Sequence, residues 1–219
     1  MATFAERFPL LLSALLLFST GWGACADSDT DMSELAESSE NEVSVKVVEN
    51  SDTLFVSEEG GYSILFSGGK NIAEQAVPVQ TKFGPISMNM VLADRGDYAM
   101  MAAYSDYPES NTESRNDREI LDSARAGAVR NVNGTLVKER DYEFQGHSAK
   151  EFYVKGAKQG RDIYVRCNII LMGTRLYQVL YLSMDEADLN SGVANDYIAS
   201  FKINGGAKEV EEEGAGEGM

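Results

Sequence analysis

Gly146-His147-Ser148-Ala149-Lys150 sets a histidine beside a serine in a spacing close to the nucleophile elbow, the turn that exposes a serine for acyl transfer. Lys150 stands where that elbow needs a glycine. His147, the sole histidine, is too near Ser148 to be a separately anchored base. The stretch therefore reads as a hairpin. Ser67-Gly68-Gly69-Lys70 has the Ser-x-x-Lys spacing of penicillin-binding enzymes without the companion Lys-Thr-Gly. As a phosphate loop it fails too, with Ile64 at the first glycine and Asn71 where a hydroxyl should hold magnesium. Asp27 to Ser38 starts like a calcium loop, but Met32 replaces the turn glycine and Ser38 the bidentate glutamate. Arg95-Gly96-Asp97 falls where a hairpin must turn. Asn133-Gly134-Thr135 is a glycosylation sequon in a host that glycosylates, and it also stops a helix.

Two further groups of side chains leave alternatives open. Glu139, Asp141 and Glu143 alternate along one strand and face one way, as a solvated sheet face or a weak cation site. Tyr153, Tyr164, Tyr177 and Tyr181 lie on strands whose other faces are also apolar, which implies either packing on both sides or a binding cleft on one. Of the two cysteines, Cys167 sits among Ile163, Val165, Ile169 and Leu171 on the apolar side of a period-two strand. A buried thiol without a nearby cation stays protonated and inert, and a lone cysteine with one histidine builds no zinc site. No catalytic, cofactor-binding or metal-ligating set is assigned, and no cofactor is implied.

Cys25 is the residue to which a role is assigned. "MATFAERFPLLLSALLLFST" has a short polar start, an apolar run from Phe8 to Phe18 and then small residues, the layout of a secretory signal over residues 1–24. That run is too short to span a bilayer of ~30 Å. Cleavage before Cys25 frees its thiol for lipidation, whereas Ala24-Cys25-Ala26 as a small-x-small site discards it. Trp22 and the Ala24-x-Ala26 pattern favour the second cut; the acidic stretch that follows favours the first, as a tether would. The balance falls to a lipid anchor at Cys25, with a soluble periplasmic or secreted form as the alternative. Either cut leaves Cys167 without an intrachain partner.

The elements that must position any site begin near Leu54. The 219 residues, 43% hydrophobic and 25% charged, suit one soluble domain. The net charge of −16 is concentrated at the ends: residues 25–52 hold nine acids against Lys46, and residues 205–219 five against Lys208. Residues 25–53 and 205–219 are therefore expected as an acidic disordered tether and tail flanking a domain at 54–204. No clustered basic face exists to bind nucleic acid.

Short apolar runs broken by turn signals predict strands at 62–66, 86–93, 98–107, 135–144, 148–154, 161–172 and 175–184, with period two along 161–172. Residues 116–132 switch to helical spacing, with Leu121, Ala124, Ala128 and Val132 on one face and Asn116 with Glu119 as a capping box. Gly127 within this helix is expected to permit close packing on a sheet. A closing helix is expected from Ser183-x-x-Glu186 through Leu189, Val193, Tyr197 and Phe201. The order implies an α+β sandwich, an antiparallel sheet with two principal helices packed on it.

"EEGGYSILF", Gly84-Pro85, "AYSDYP", "LDSARAGAVRNVNGTLV", "QGHSAKEF", "RLYQVLYL" and "YIASFKI" follow one another in an order that resembles small exported bacterial proteins of PsbP-like type, over about residues 54–204. The resemblance implies the α/β/α sandwich of that family. Its photosystem-associated members stabilise a metal cluster, but no ligand motif of theirs maps onto positions here. The functional expectation is an exported, lipid-anchored envelope protein acting as a binding or structural module. Its partners would be the membrane, through the N-terminal lipid, and an envelope protein. The alternatives are a secreted soluble form or an enzyme with a carboxylate-based site.

Overall fold

Tight turns cut the chain into antiparallel strands in the computed structural model, which describes residues 45–46, 52–69, 72–81, 84–108, 116–158 and 160–204. The strands before the first helix are β1 (Val45–Lys46), β2 (Thr53–Ser57), β3 (Tyr62–Phe66), β4 (Ile72–Thr81), β5 (Gly84–Asp94) and β6 (Tyr98–Asp106). Helix α1 (Asp117–Asn131) leads to β7 (Thr135–Phe144), β8 (His147–Lys158), β9 (Arg161–Met172) and β10 (Arg175–Ser183). A 3₁₀ turn (Glu186–Asn190), α2 (Gly192–Ser200) and β11 (Lys202–Ile203) close the domain.

Eight strands form one antiparallel sheet in the order β1-β4-β5-β6-β10-β9-β8-β7, and β11-β3-β2 form a small second sheet. Helix α1 carries the chain from β6 to the far edge, and β7 to β10 then meander back until β10 pairs with β6. Period two gives the large sheet two apolar faces. On one, Phe152, Val165, Cys167, Ile169 and Leu180 pack with Ile120, Leu121 and Ala128 of α1. On the other, Tyr177, Tyr181, Val179 and Ile170 pack beneath Tyr62, Ile64 and Phe66 of the small sheet and Tyr197 and Ile198 of α2. The fold is α+β, an antiparallel sheet between helix layers, with the small sheet sharing the α2 side.

Asn116 caps α1 by accepting from the Glu119 amide at 2.9 Å, as the capping box predicts. The helix stops at Asn133, whose φ of 47° is left-handed, and the Gly134 amide reaches back to the Val129 carbonyl at 3.0 Å. Gly127 does not do what its sequence position suggested: a Cβ there would meet nothing within 4 Å. The close approach is instead at Gly156, where a Cβ would lie 2.6 Å from the Val132 carbonyl oxygen. Gly127→Ala is therefore expected to raise stability by ~1 kcal/mol through helix propensity alone. Thermal melting checks this, and a lowered midpoint would place a neighbour over Gly127.

The closing helix departs further from expectation. Ser183 ends β10, and its hydroxyl donates to Asp188 Oδ2 at 2.8 Å while accepting from the Asp185 amide at 3.0 Å. Asp185 caps the 3₁₀ turn, and Ser191 caps α2 through the Ala194 amide at 3.2 Å. The single predicted helix thus breaks at Ser191, whose side chain caps α2, and Phe201 lies past its end. Strand β4 was not predicted. Pro78 demotes such a run to an edge strand, which is nearly where β4 lies.

Candidate functional site

The residues able to do chemistry sort onto the two faces of the β7–β8 hairpin. Gln145 and Gly146, with φ of 48° and 80°, make the two-residue turn between Phe144 and His147. His147 and Ser148 follow on consecutive strand positions and so face opposite sides of the sheet. Ser148 Oγ donates to Asp117 Oδ2 at 2.7 Å, and His147 Nε2 is buried without a hydrogen-bond partner. No proton relay joins them.

On the α1 side, Lys150 alternates with Phe152 and Val154 and is carried into the core face. Only 3% of its side chain is exposed. Its ammonium lies 2.5 Å from Asp141, 2.9 Å from Asp122 and 3.6 Å from Glu139, while Arg125 Nε lies 3.0 Å from Glu139. The acid face, read as a solvated sheet face or a weak cation site, supplies Glu139 and Asp141 to a cage for a buried lysine. Burial pulls the Lys150 pKa down, but hydrogen bonds to Asp141 and Asp122 outweigh it and raise the net value. The Lys150 hydrogen bond is the chief cause holding Asp122 below its ordinary range. Glu143 instead lines an open cleft of about 290 Å³ beside the cluster, with Arg118, Leu121, Asp141, Tyr142 and Ser148.

On the α2 side, Glu151 is clamped between Arg140 Nε at 2.6 Å and Arg166 Nε at 2.8 Å. Arg166 Nη1 also donates to the Leu189 carbonyl at 3.2 Å and to Asn195 Oδ1 at 2.6 Å, tying the sheet to the 3₁₀ turn and α2. Tyr153 lies between cations, with Lys138 Nζ 3.8 Å and the Arg166 guanidinium 5.5 Å from its ring centre. Burial pushes Tyr142, beside this group, up to about 12. Tyr177 and Tyr181 are enclosed, so layers on both faces, rather than an open aromatic cleft, account for them.

Cys167 is fully buried under α1, and burial pushes its thiol well up, so it is a core side chain. Cys167→Ser is expected to lower stability by ~1–3 kcal/mol, since the hydroxyl loses water and gains no good partner. An unchanged denaturation midpoint would remove Cys167 from the core. Arg95-Gly96-Asp97 is a hairpin turn: Gly96 has φ of 88° and Arg95 Nε donates to the Ser67 carbonyl at 3.0 Å, folding the arginine back on its own chain. Gly68 and Gly69 likewise have positive φ and serve a turn. The signal segment, Cys25, the 27–38 stretch, Lys70 and residues 205–219 lie outside the described residues. Among the described residues, no three His, Cys, Asp or Glu side chains are grouped to hold a metal ion, and no helix is long and apolar enough to cross a membrane.

Both ionic clusters were missed in the sequence. Lys150 and Glu151 sit mid-strand at positions that period two carries onto buried faces, and a charge there demands counter-charges across the strand. That demand was a legible signal.

No family model and no curated protein matches the chain. Among solved structures, the solution structure of cyanobacterial PsbP (CyanoP) from Synechocystis sp. PCC 6803 is 12% identical, with 70% of this chain and 93% of that chain covered and a TM-score of 0.48. LpqN, involved in cell envelope biogenesis of Mycobacterium tuberculosis, is 13% identical over 75% of this chain and 92% of its own, with a TM-score of 0.37. PA94 from Pseudomonas aeruginosa, a protein of unknown function, is 18% identical over 64% and 86%, with a TM-score of 0.35.

Proposed function

We propose that this chain is an exported envelope protein whose domain works as a binding or structural module. The observation that carries this reading is how its charged interior is used. Lys150 is saturated by three carboxylates, Glu151 is held by two arginines, and Ser148 is bonded to Asp117, so each group braces one element against another. Such bracing suits a rigid scaffold that presents a surface.

Acyl chains on Cys25 would hold the terminus at a membrane, each buried methylene contributing ~0.8 kcal/mol. The acidic segment would set the distance to an envelope partner. The soluble form, cut after Ala26, is a second reading favoured by Ala24-x-Ala26 and by the bulk of Trp22. The intact mass of the mature protein separates the two, because a chain starting at Asp27 without acyl groups removes the anchor. Labelling of Ser148 by a fluorophosphonate probe would overturn the non-catalytic reading; no labelling is expected.

A further inference from the structure

Period two sorts the charges of β7 by sign. Along Lys138-Glu139-Arg140-Asp141 the acids fall on the α1 side with Lys150, and the bases fall on the α2 side, Lys138 opposite Tyr153 and Arg140 opposite Glu151. Lys155, two residues beyond Tyr153 on β8, shares the α2 side and lies over Tyr164. The 3₁₀ turn and α2 pack mainly on β9, β10 and β3. Lys138, Arg140 and Lys155 therefore stay exposed, the last two at 65% and 50%. Against them this patch sets Asp162, which is exposed, and Glu151, which is shielded and already held by two arginines. In a chain of net charge −16, the local sign is reversed.

Each of these cations also lies against a tyrosine ring: Lys138 Nζ is 3.8 Å from the centre of Tyr153, the Arg140 guanidinium 5.3 Å from Tyr142 and Lys155 Nζ 5.4 Å from Tyr164. The rings hold the long side chains in place, so less freedom is lost when an anion arrives.

We propose that this basic face of β7 and β8 docks an extended acidic peptide segment of a partner protein, with carboxylates on alternate residues. Lys138 and Arg140, two residues apart on one strand, are about 7 Å apart along it, the repeat of alternate side chains in an extended peptide. Among the described residues Lys138 pairs with no carboxylate, and Arg140 donates only Nε to Glu151, leaving its terminal nitrogens for an incoming acid. The Lys155–Asp162 pair at 2.9 Å is exposed at both ends and opens to a competing carboxylate at little cost. A membrane or a nucleic acid fits less well, because either would reach past this small patch onto the rest of a net acidic molecule. Such docking deepens the binding-module reading and rests on it.

Titration of the mature protein with a short peptide of alternating glutamate and serine, followed by amide chemical shifts, tests the face. Amides of 138–140 and 153–155 are expected to shift. Lys138→Gln combined with Lys155→Gln changes only exposed side chains and is expected to weaken binding roughly tenfold. Lys202→Gln, at an exposed lysine on β11, is expected to leave binding unchanged. No binding at low salt, or equal weakening by Lys202→Gln, would overturn the acidic partner, while the module reading is judged separately by the labelling of Ser148. Vesicles containing phosphatidylglycerol whose binding falls in the same double variant would give the face to a membrane and overturn the peptide. Self-association of the protein that disappears in the double variant would likewise replace the peptide by a second copy.

Discussion

Replacing Lys150 with methionine is expected to lower stability by ~3 kcal/mol, because it leaves the carboxylates of Asp122, Glu139 and Asp141 drawn together without their central cation. The loss falls at the low end for a broken buried pair: the acids are 40%, 34% and 50% exposed and partly recover their hydration, and Arg125 still faces Glu139. A fall in melting temperature of roughly 6–12 °C is the reading for a domain of this size. Salt should restore part of it by screening the like charges, and Asp122→Asn in the same background should restore more. An unchanged midpoint would mean that the ammonium does not hold the cluster.

The same cluster predicts where stability depends on pH. Asp122 titrates below its ordinary value of 3.8 in the folded state, so its contribution is present above that value and fades as pH falls through the lowered one. Lys150 has the opposite sign. Its net value is raised above 10.5, so its contribution is complete below 10.5 and is lost as pH rises through the higher folded value. Lys150→Met should therefore reduce the difference between neutral and strongly alkaline stability, and also the part of the acid loss that Asp122 supplies.

How much of this was legible depended on whether a residue's role was local. Hairpin turns, the Asn116 cap and the burial of Cys167 follow from period and turn chemistry, which act over a few residues. The Lys150 cluster needed the pairing of Asp141 with Lys150 and the placement of α1 over that pair, relations set by the whole sheet. The break between the 3₁₀ turn and α2 was hidden because Leu189, Val193, Tyr197 and Phe201 keep a helical interval across it. Val193, 37% exposed, shows that the interval did not describe one buried face. Gly127 and Gly156 make the same point: helical sequence context suggested a close approach at the first, and the fold placed it at the second.

Glu151→Ala is expected to be at least as damaging as the loss of Lys150, at about 3–4 kcal/mol, because both Glu151 and its partner Arg166 are shielded from water. Arg140 is 65% exposed and can turn into solvent, whereas Arg166 is only 12% exposed and is left with neutral acceptors, the Leu189 carbonyl and Asn195. The damage should spread along those bonds, so that amides of the 3₁₀ turn and α2 exchange faster than those of α1. Arg166→Ala removes the stranded charge, and the double variant should be less destabilised than the sum of the two singles by about 1–3 kcal/mol. Additive losses would show that Glu151 and Arg166 act separately. Burial works to raise the Glu151 pKa, but hydrogen bonds from Arg140 and Arg166 outweigh it and leave the carboxyl below 4.5. A depressed carboxylate contributes stability above its ordinary value and loses it as pH falls through the folded one, so acid unfolding of the native protein and Glu151→Ala should converge at low pH. Convergence restricted to Glu151→Ala, with Arg140→Ala retaining most of the acid sensitivity, would assign the bracing of α2 to the Glu151–Arg166 bond.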